Sequence, residues 1–158
     1  MATMHYARMD SPVGVLTIAG EGDALRFILF CTGNRAASPG RDWQESGSGI
    51  VGETIRQLQE YFEKTRTGFD LPLKPAGTPF QMSVWRELQS IPYGKTISYG
   101  ELARRIGRPS ASRAVGAANG ANPIPIVIPC HRVIGSNGGM TGYGGGLSIK
   151  KILLDLEG

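Results

Sequence analysis

The strongest local constraint on this chain is the run Ile124-Pro125-Ile126-Val127-Ile128-Pro129-Cys130-His131-Arg132. Proline lacks an amide donor and its ring clashes with the preceding turn, so the run cannot be helical. Its β-branched residues predict a stiff, extended, buried segment. That segment delivers a cysteine and a histidine side by side. On residue type alone Cys130 reads as a small core hydrophobe. Beside a base or a cation it reads as a nucleophile, because only the thiolate attacks.

With 158 residues the chain can bury a core as one domain or as two small ones. No apolar stretch approaches the roughly 20 residues that span a bilayer. Met1-Ala2-Thr3-Met4-His5-Tyr6 lacks a basic-then-apolar secretion signal, so a soluble, cytoplasmic protein is expected, with no membrane partner. Cys31 and Cys130 lie far apart, without the spacing of a disulfide framework. Together with His5 and His131 they match no metal-site spacing, so no metal is expected and both read as reduced thiols. The net charge of +4 is unevenly placed: residues 1–77 carry eight Lys and Arg against nine Asp and Glu, residues 78–158 nine against four. The basic second half suits contact with a polyanion, or equally a solvated cationic face.

Residues 5–8 and 15–19 flank Asp10-Ser11-Pro12-Val13-Gly14 and predict a β-hairpin, with a third strand over residues 25–30. Residues 31–49 are rich in Gly, Ser, Asn and Arg and predict a long exposed loop. Helical period returns with Ile50, Ile55, Leu58, Tyr61 and Phe62. A short strand is expected over residues 69–73, and a domain boundary within residues 65–77, where Gly68, Pro72, Pro75 and Gly77 cluster. The expected domains are therefore 1–77, structural, and 78–158. Thr78-Pro79-Phe80-Gln81 is a capping box with proline at the first helical position, opening a helix to about Ser90 that buries Phe80, Val84, Trp85 and Leu88. A turn is expected at Pro92-Tyr93-Gly94-Lys95.

Ser98-Tyr99-Gly100-Glu101 repeats the capping-box pattern, and Gly107 and Pro109 stop that helix. A second helix follows over residues 111–119. Two short helices in a basic segment read as a helix-turn-helix or as an ordinary αα-hairpin. The second helix is poor in the Arg, Asn and Gln side chains that read base edges: it offers alanines, Gly116 and the single cation Arg113. Small residues suit a shallow, sequence-independent contact such as the minor groove. Arg113 would then protrude into DNA, clamp a phosphate or serve as a structural ion-pair partner.

After the run, residues 133–135 read as a strand and residues 136–139 as a turn. Thr141-Gly142-Tyr143-Gly144-Gly145-Gly146 lacks the lysine and spacing of a nucleotide-binding loop, and its glycines expose backbone N–H groups to a ligand. Ser148 is expected to cap a last helix with Ile149, Ile152, Leu153 and Leu156 on one face. His131 is the base nearest Cys130 in sequence, but neighbours in an extended chain point to opposite faces. Contact therefore needs either a backbone turn at Cys130 or a relaying water. Glu157, at the end of an apolar helix, is the carboxylate chosen to orient the imidazole.

Pro129-Cys130-His131-Arg132-Val133, preceded by Asn122-Pro123 and followed by the Tyr143 loop, resembles the active-site signature of the O6-alkylguanine-DNA alkyltransferases. Ile91-Pro92-Tyr93-Gly94, Ser98-Tyr99-Gly100-Glu101-Leu102-Ala103 and Arg113-Ala114-Val115-Gly116 fall in family order, so the resemblance covers residues 78–157. Residues 10–14 also match; residues 21–77 are only loosely similar.

The resemblance implies an α+β fold. A small N-terminal α/β, ribonuclease H-like domain would precede a mainly helical, winged-helix-like domain with a helix-turn-helix. It implies a cytoplasmic monomer without cofactor, whose partner is double-stranded DNA containing O6-alkylguanine. Cys130 would accept the alkyl group once, from a guanine flipped out of the duplex. His131 would act as base through a water, Glu157 would orient it, Tyr99 would crowd the phosphate and help protonate the guanine, and Asn122 would be a hinge. Ala111, Ser112, Arg113, Gly116 and Tyr99 would form the DNA surface, Arg113 filling the hole left by the base. Asn119, Val133, Tyr143 and Gly144 would form the base pocket. Two other readings of the residues stay open: a non-enzymatic DNA binder in which Cys130 is packing, and a Cys–His hydrolase.

Overall fold

Apolar residues in the N-terminal strands and the turn between them set the first hairpin. In the computed structural model, which describes residues 3–31, 38–135 and 147–158 (for Leu147 only the backbone), β1 (Met4–Met9) pairs antiparallel with β2 (Leu16–Glu21). Ser11 closes the turn twice. Its Oγ accepts from Val13 N–H at 3.1 Å and donates to the Gly14 carbonyl at 2.6 Å, while Gly14 sits at φ 94°, a conformation that strains any residue with a Cβ.

The expected third strand is β3 (Ala24–Phe30), and it pairs antiparallel with β2. The segment after it is not wholly loop: β4 (Gln44–Glu45) lies parallel to β1 and gives the sheet order β3-β2-β1-β4. Two exposed polar residues carry no periodic signal; what makes them a strand is the unpaired edge that β1 offers. α1 (Gly49–Phe62) covers the sheet, burying Val51, Leu58 and Tyr61 with Leu16, Ile18, Leu25 and Ile28. The strand expected over residues 69–73 reduces to one bridge between Leu25 and Leu73. Pro72 lacks a donor, and pairing is limited to Leu25 N–H on the Pro72 carbonyl at 2.8 Å and Lys74 N–H on the Leu25 carbonyl at 2.9 Å.

α2 (Pro79–Leu88) opens on a complete capping box, Gln81 N–H to Thr78 Oγ1 at 3.1 Å and Thr78 N–H to Gln81 Oε1 at 3.0 Å. It ends short of Ser90, and Phe80 is half-buried where full burial was expected. β5 (Ile97–Ser98) precedes α3 (Tyr99–Arg105), whose cap is Ser98: its Oγ accepts from Glu101 N–H at 3.0 Å. The reciprocal half of this box does not form, because the Glu101 carboxylate pairs with Arg104 and Arg105 instead. Gly107, at φ 75°, ends α3, and α4 (Ser112–Gly120) follows.

β6 (Val133–Ile134) pairs parallel with β5, and α5 (Leu147–Glu157) closes the described chain. Ser148 lies inside α5 rather than at its cap. The turn expected over residues 136–139 lies outside the described residues. Trp85 Nε1–H ties α2 to α4 through the Ala118 carbonyl at 2.8 Å. One apolar cluster runs from the sheet through α2 to residues 124–133, so both halves of this α+β fold share a core.

Candidate active site

Residues 124–132 are not extended. Val127 N–H closes on the Pro125 carbonyl at 2.9 Å, Ile128 N–H on the Ile124 carbonyl at 2.9 Å and Cys130 N–H on the Ile128 carbonyl at 2.8 Å. Ile126 adopts φ 73°, an outlier for a β-branched residue. Pro129, at φ −81° and ψ 66°, makes an inverse γ-turn, after which Cys130–Arg132 forms one 3₁₀ turn. The physical reason is symmetric: prolines forbid a helix but also remove the donors a strand ladder needs. The remaining amides are satisfied by local turns. The strain at Ile126 persists because Ile124, Ile126 and Ile128 are fully buried and cannot relax outward.

Two asparagines hold this track. Asn122 Nδ2 donates to the Ile128 carbonyl at 2.8 Å, and its Oδ1 accepts from Ile124 N–H at 3.0 Å. Asn119, buried on α4, donates from Nδ2 to the Cys130 carbonyl at 3.2 Å. From the other side, Ile28 N–H of β3 donates to the Pro123 carbonyl at 3.0 Å. Both asparagine amides bond to backbone, shaping the loop that carries Cys130.

Cys130 is buried, and His131, in the same 3₁₀ turn, is fully so. The turn at Cys130 removes the opposite-face geometry of an extended pair. His131 Nε2 lies 2.7 Å from Glu157 Oε2. A carboxylate only accepts, so the imidazole proton is assigned to Nε2 and Nδ1 is left as the acceptor. Among the described residues Nδ1 is buried without a hydrogen-bond partner.

Glu157 is the hub. Its Oε1 accepts from Arg132 Nε at 2.8 Å and Gly94 N–H at 3.4 Å; its Oε2 accepts from Tyr61 Oη at 2.6 Å and Arg132 Nη2 at 3.0 Å, besides His131. Arg132 Nη1 donates to the Ile91 carbonyl at 2.6 Å, and its guanidinium sits 5.8 Å from the Tyr93 ring centroid. Burial alone would raise the Glu157 carboxyl, but the hydrogen bonds from His131, Arg132 and Tyr61 outweigh it and hold the group at about 2. Burial pushes His131 below its ordinary value against the upward pull of Glu157, which keeps the imidazole neutral.

Lys150 enters from the same face of α5 as Glu157. It is fully buried, donates to the Val133 carbonyl at 2.7 Å and lies 5.8 Å from the Tyr99 ring centroid. Burial pushes its amine below the ordinary lysine value, and negative charge on Cys130 would favour its ammonium form. Val133 N–H bonds the Cys130 carbonyl. Tyr143 and Gly144 lie outside the described residues.

The second helix offers a different surface. Ser112 and Arg113 are exposed, Ala111 and Gly116 half-buried, and Arg113 makes no ion pair or hydrogen bond among the described residues. A Cβ on Gly116 would stand 3.9 Å from the Tyr99 ring, which marks how closely Tyr99 packs on α4. The site thus brings Cys130, His131 and Glu157 together inside, and sets Arg113 and Ser112 outside.

Tyr61, Arg132 and Lys150 were not foreseen. Arg132 had a signal, its place beside Cys130-His131. Lys150 had another, because it shares a helical face with Leu153 and Glu157 and is charged where its neighbours are apolar. Tyr61 had none beyond a core position on α1.

A paired-helix basic region over a buried Cys–His–Glu constellation, joined to a four-stranded sheet with one helix, defines an α+β class of protein with a thiol at its centre. The chain belongs to the 6-O-methylguanine DNA methyltransferase family: residues 4–75 match its ribonuclease-like domain and residues 79–158 its DNA binding domain. A methylated-DNA–protein-cysteine methyltransferase of Methanosarcina acetivorans is 49% identical over 98% of this chain and 99% of its own. One of Mycobacterium bovis is 48% identical over 98% and 92%. The crystal structure of the Mycobacterium tuberculosis O6-methylguanine methyltransferase matches with a TM-score of 0.89 and 48% identity, covering 98% of this chain and 93% of that one. The Mycobacterium tuberculosis OGT in complex with DNA matches at 0.90 and 47% identity, covering 97% and 92%. Among the described residues, no helix is long and apolar enough to cross a membrane.

Proposed function

We propose that this protein repairs O6-alkylguanine in duplex DNA by transferring the alkyl group, once and irreversibly, to Cys130 Sγ. The observation that carries this reading is the 2.7 Å contact between His131 Nε2 and Glu157, which leaves Nδ1 as a base in the same turn as a buried thiol. A free thiol is only a few per cent ionised at neutral pH, so the proton must go to a base before attack. It passes from Sγ to His131 Nδ1 through a water. The S–C bond then forms as the C–O6 bond breaks, and the guanine leaves as an anion that regains a proton. Tyr99 donates to it and is reprotonated from solvent as His131 releases the thiol proton, and the thioether left on Cys130 ends the chain's activity.

Reaching O6 requires the base to leave the stack, at a cost of a few kcal/mol. α4 supports this by lying in the minor groove, with Ala111, Ser112 and Gly116 close to the backbone and Arg113 in the space vacated. Asn119, with Asn122, holds the floor of the pocket, and the Val133 backbone lines it; Tyr143 and Gly144 join them on the family resemblance alone. Lys150 favours the thiolate by its charge. One acceptor per chain makes a monomer sufficient, and the cytoplasm keeps that thiol reduced.

Intact mass after incubation with a duplex containing O6-methylguanine tests this. One methyl per chain is expected, absent in Cys130→Ala, which still binds the duplex. Binding without an adduct would make the protein a lesion binder, and several turnovers per chain would make it a hydrolase.

A further inference from the structure

We propose that Tyr61, from the N-terminal half, is a positioning residue for alkyl transfer: its hydroxyl fixes the Glu157 carboxylate and so sets the basicity of His131. This rests on the reading of His131 as the base. Tyr61 is fully buried on α1, and its Oη donates to Glu157 Oε2 at 2.6 Å across 96 residues of sequence. Its ring stands edge-on to Phe62 and Tyr93, at 5.3 and 6.2 Å between centroids, and tilted against Phe69 at 5.5 Å. A phenylalanine would fill that space equally well, so packing does not explain the hydroxyl. Burial and the neighbouring Glu157 charge hold the phenol proton far above its usual range, which keeps Tyr61 a neutral donor.

That donor acts on the oxygen that faces the imidazole. Oε2 takes Tyr61, His131 and Arg132 together, while Oε1 takes Arg132 and Gly94, so the carboxylate cannot rotate. Each donor also withdraws negative charge from Oε2. Without the Tyr61 hydroxyl, Glu157 would stabilise an imidazolium better, and His131 would keep its proton to higher pH. The other charged groups acting on His131 and Glu157 are Arg132 and Lys150 of α5, with Tyr93 packed on Tyr61 and Arg132; Cys130 lies in the same turn as His131. Tyr61→Phe leaves each of these side chains in the sequence and removes only the hydroxyl. The N-terminal half is then part of the reaction and not only a scaffold.

Tyr61→Phe and the wild type are compared in single-turnover transfer from an O6-methylguanine duplex across pH. Tyr61→Phe is expected to bind DNA as the wild type does and to transfer about tenfold more slowly at neutral pH, the equivalent of about 1.4 kcal/mol. The acid limb of its pH profile is expected to move to higher pH. An unchanged rate, or a slower rate with the wild-type profile, would overturn the proposal. The second readout is independent of activity: His131 is one of only two histidines, so its ring resonances are assigned by difference with His5 removed. Their titration midpoint is expected to rise in Tyr61→Phe, and an unmoved midpoint would overturn the proposal. A wild type that transfers no methyl would instead overturn the function, leaving the His131 titration to decide on Tyr61.

Discussion

The cluster around Glu157 and the exposed face of α4 use the same residue type in opposite ways. Arg132 is buried, forked onto both Glu157 oxygens and bonded to the Ile91 carbonyl. Arg113 stands in solvent and makes no hydrogen bond or ion pair among the described residues. A guanidinium enclosed in low dielectric must be paired, and once paired it fixes geometry. One left in water keeps its five donors for a phosphate or a displaced base. Position in the fold therefore separates an arginine that builds the site from one left exposed on α4, the residue proposed to meet the DNA.

The hardest test of this contrast is Glu157→Gln. It removes the charge that compensates Arg132, and breaking a buried pair costs about 3–5 kcal/mol. Urea unfolding should show that loss, and methyl transfer should slow by about a hundredfold or more as His131 loses its orientation. A stability change below about 1 kcal/mol would mean that the cluster does not hold the fold. Arg113→Ala should behave in the reverse way, with unfolding free energy within about 0.5 kcal/mol of wild type. Transfer should fall roughly tenfold if Arg113 fills the vacated space as proposed, because flipping costs a few kcal/mol that an inserted side chain would help offset. A fluorescent base analogue opposite the lesion reads the flipped population directly.

Acid separates the two regions more gently. Glu157 titrates at about 2 in the folded chain against an ordinary 4.5, so below pH 4.5 the unfolded chain takes up a proton that the native one refuses. His131, lowered from 6.5 by burial, acts in the same sense from pH 6.5 downward. Stability should hold above pH 6.5, then decline as pH falls, first through His131 and then between 4.5 and about 2 through Glu157. Thermal melts at stepped pH should show this in the wild type and a flatter lower limb in Glu157→Gln.

Much of the fold was legible because local chemistry acts alone there. The hairpin around Ser11 and Gly14, the capping box at Thr78 and the stop at Gly107 each follow from one or two side chains acting on nearby backbone. β4 was not legible, since Gln44 and Glu45 owe their pairing to the edge of β1. The extended reading of residues 124–132 failed because the excluded helix was taken to leave only a strand, whereas the prolines starve a strand of donors as well. At the site, Cys130, His131 and Glu157 were named from sequence, but the choice of Glu157 came from its place on an apolar helix rather than from any view of His131.

The sequence by itself determined the residue chemistry: one thiol with an imidazole beside it, small residues on α4, a basic second half and turns where glycine and proline demand them. These act over a few residues, where spacing in the chain is spacing in space. Only the tertiary structure decided which donor meets which acceptor. Tyr61 reaches Glu157 from 96 residues away, and Lys150 comes to rest on Val133. Their roles depend on burial, which holds the Tyr61 phenol neutral as a donor to a carboxylate and sets the Lys150 amine against the Val133 carbonyl, where burial lowers its affinity for the proton and negative charge on Cys130 opposes that. Burial belongs to the assembled core, and no segment possesses it alone.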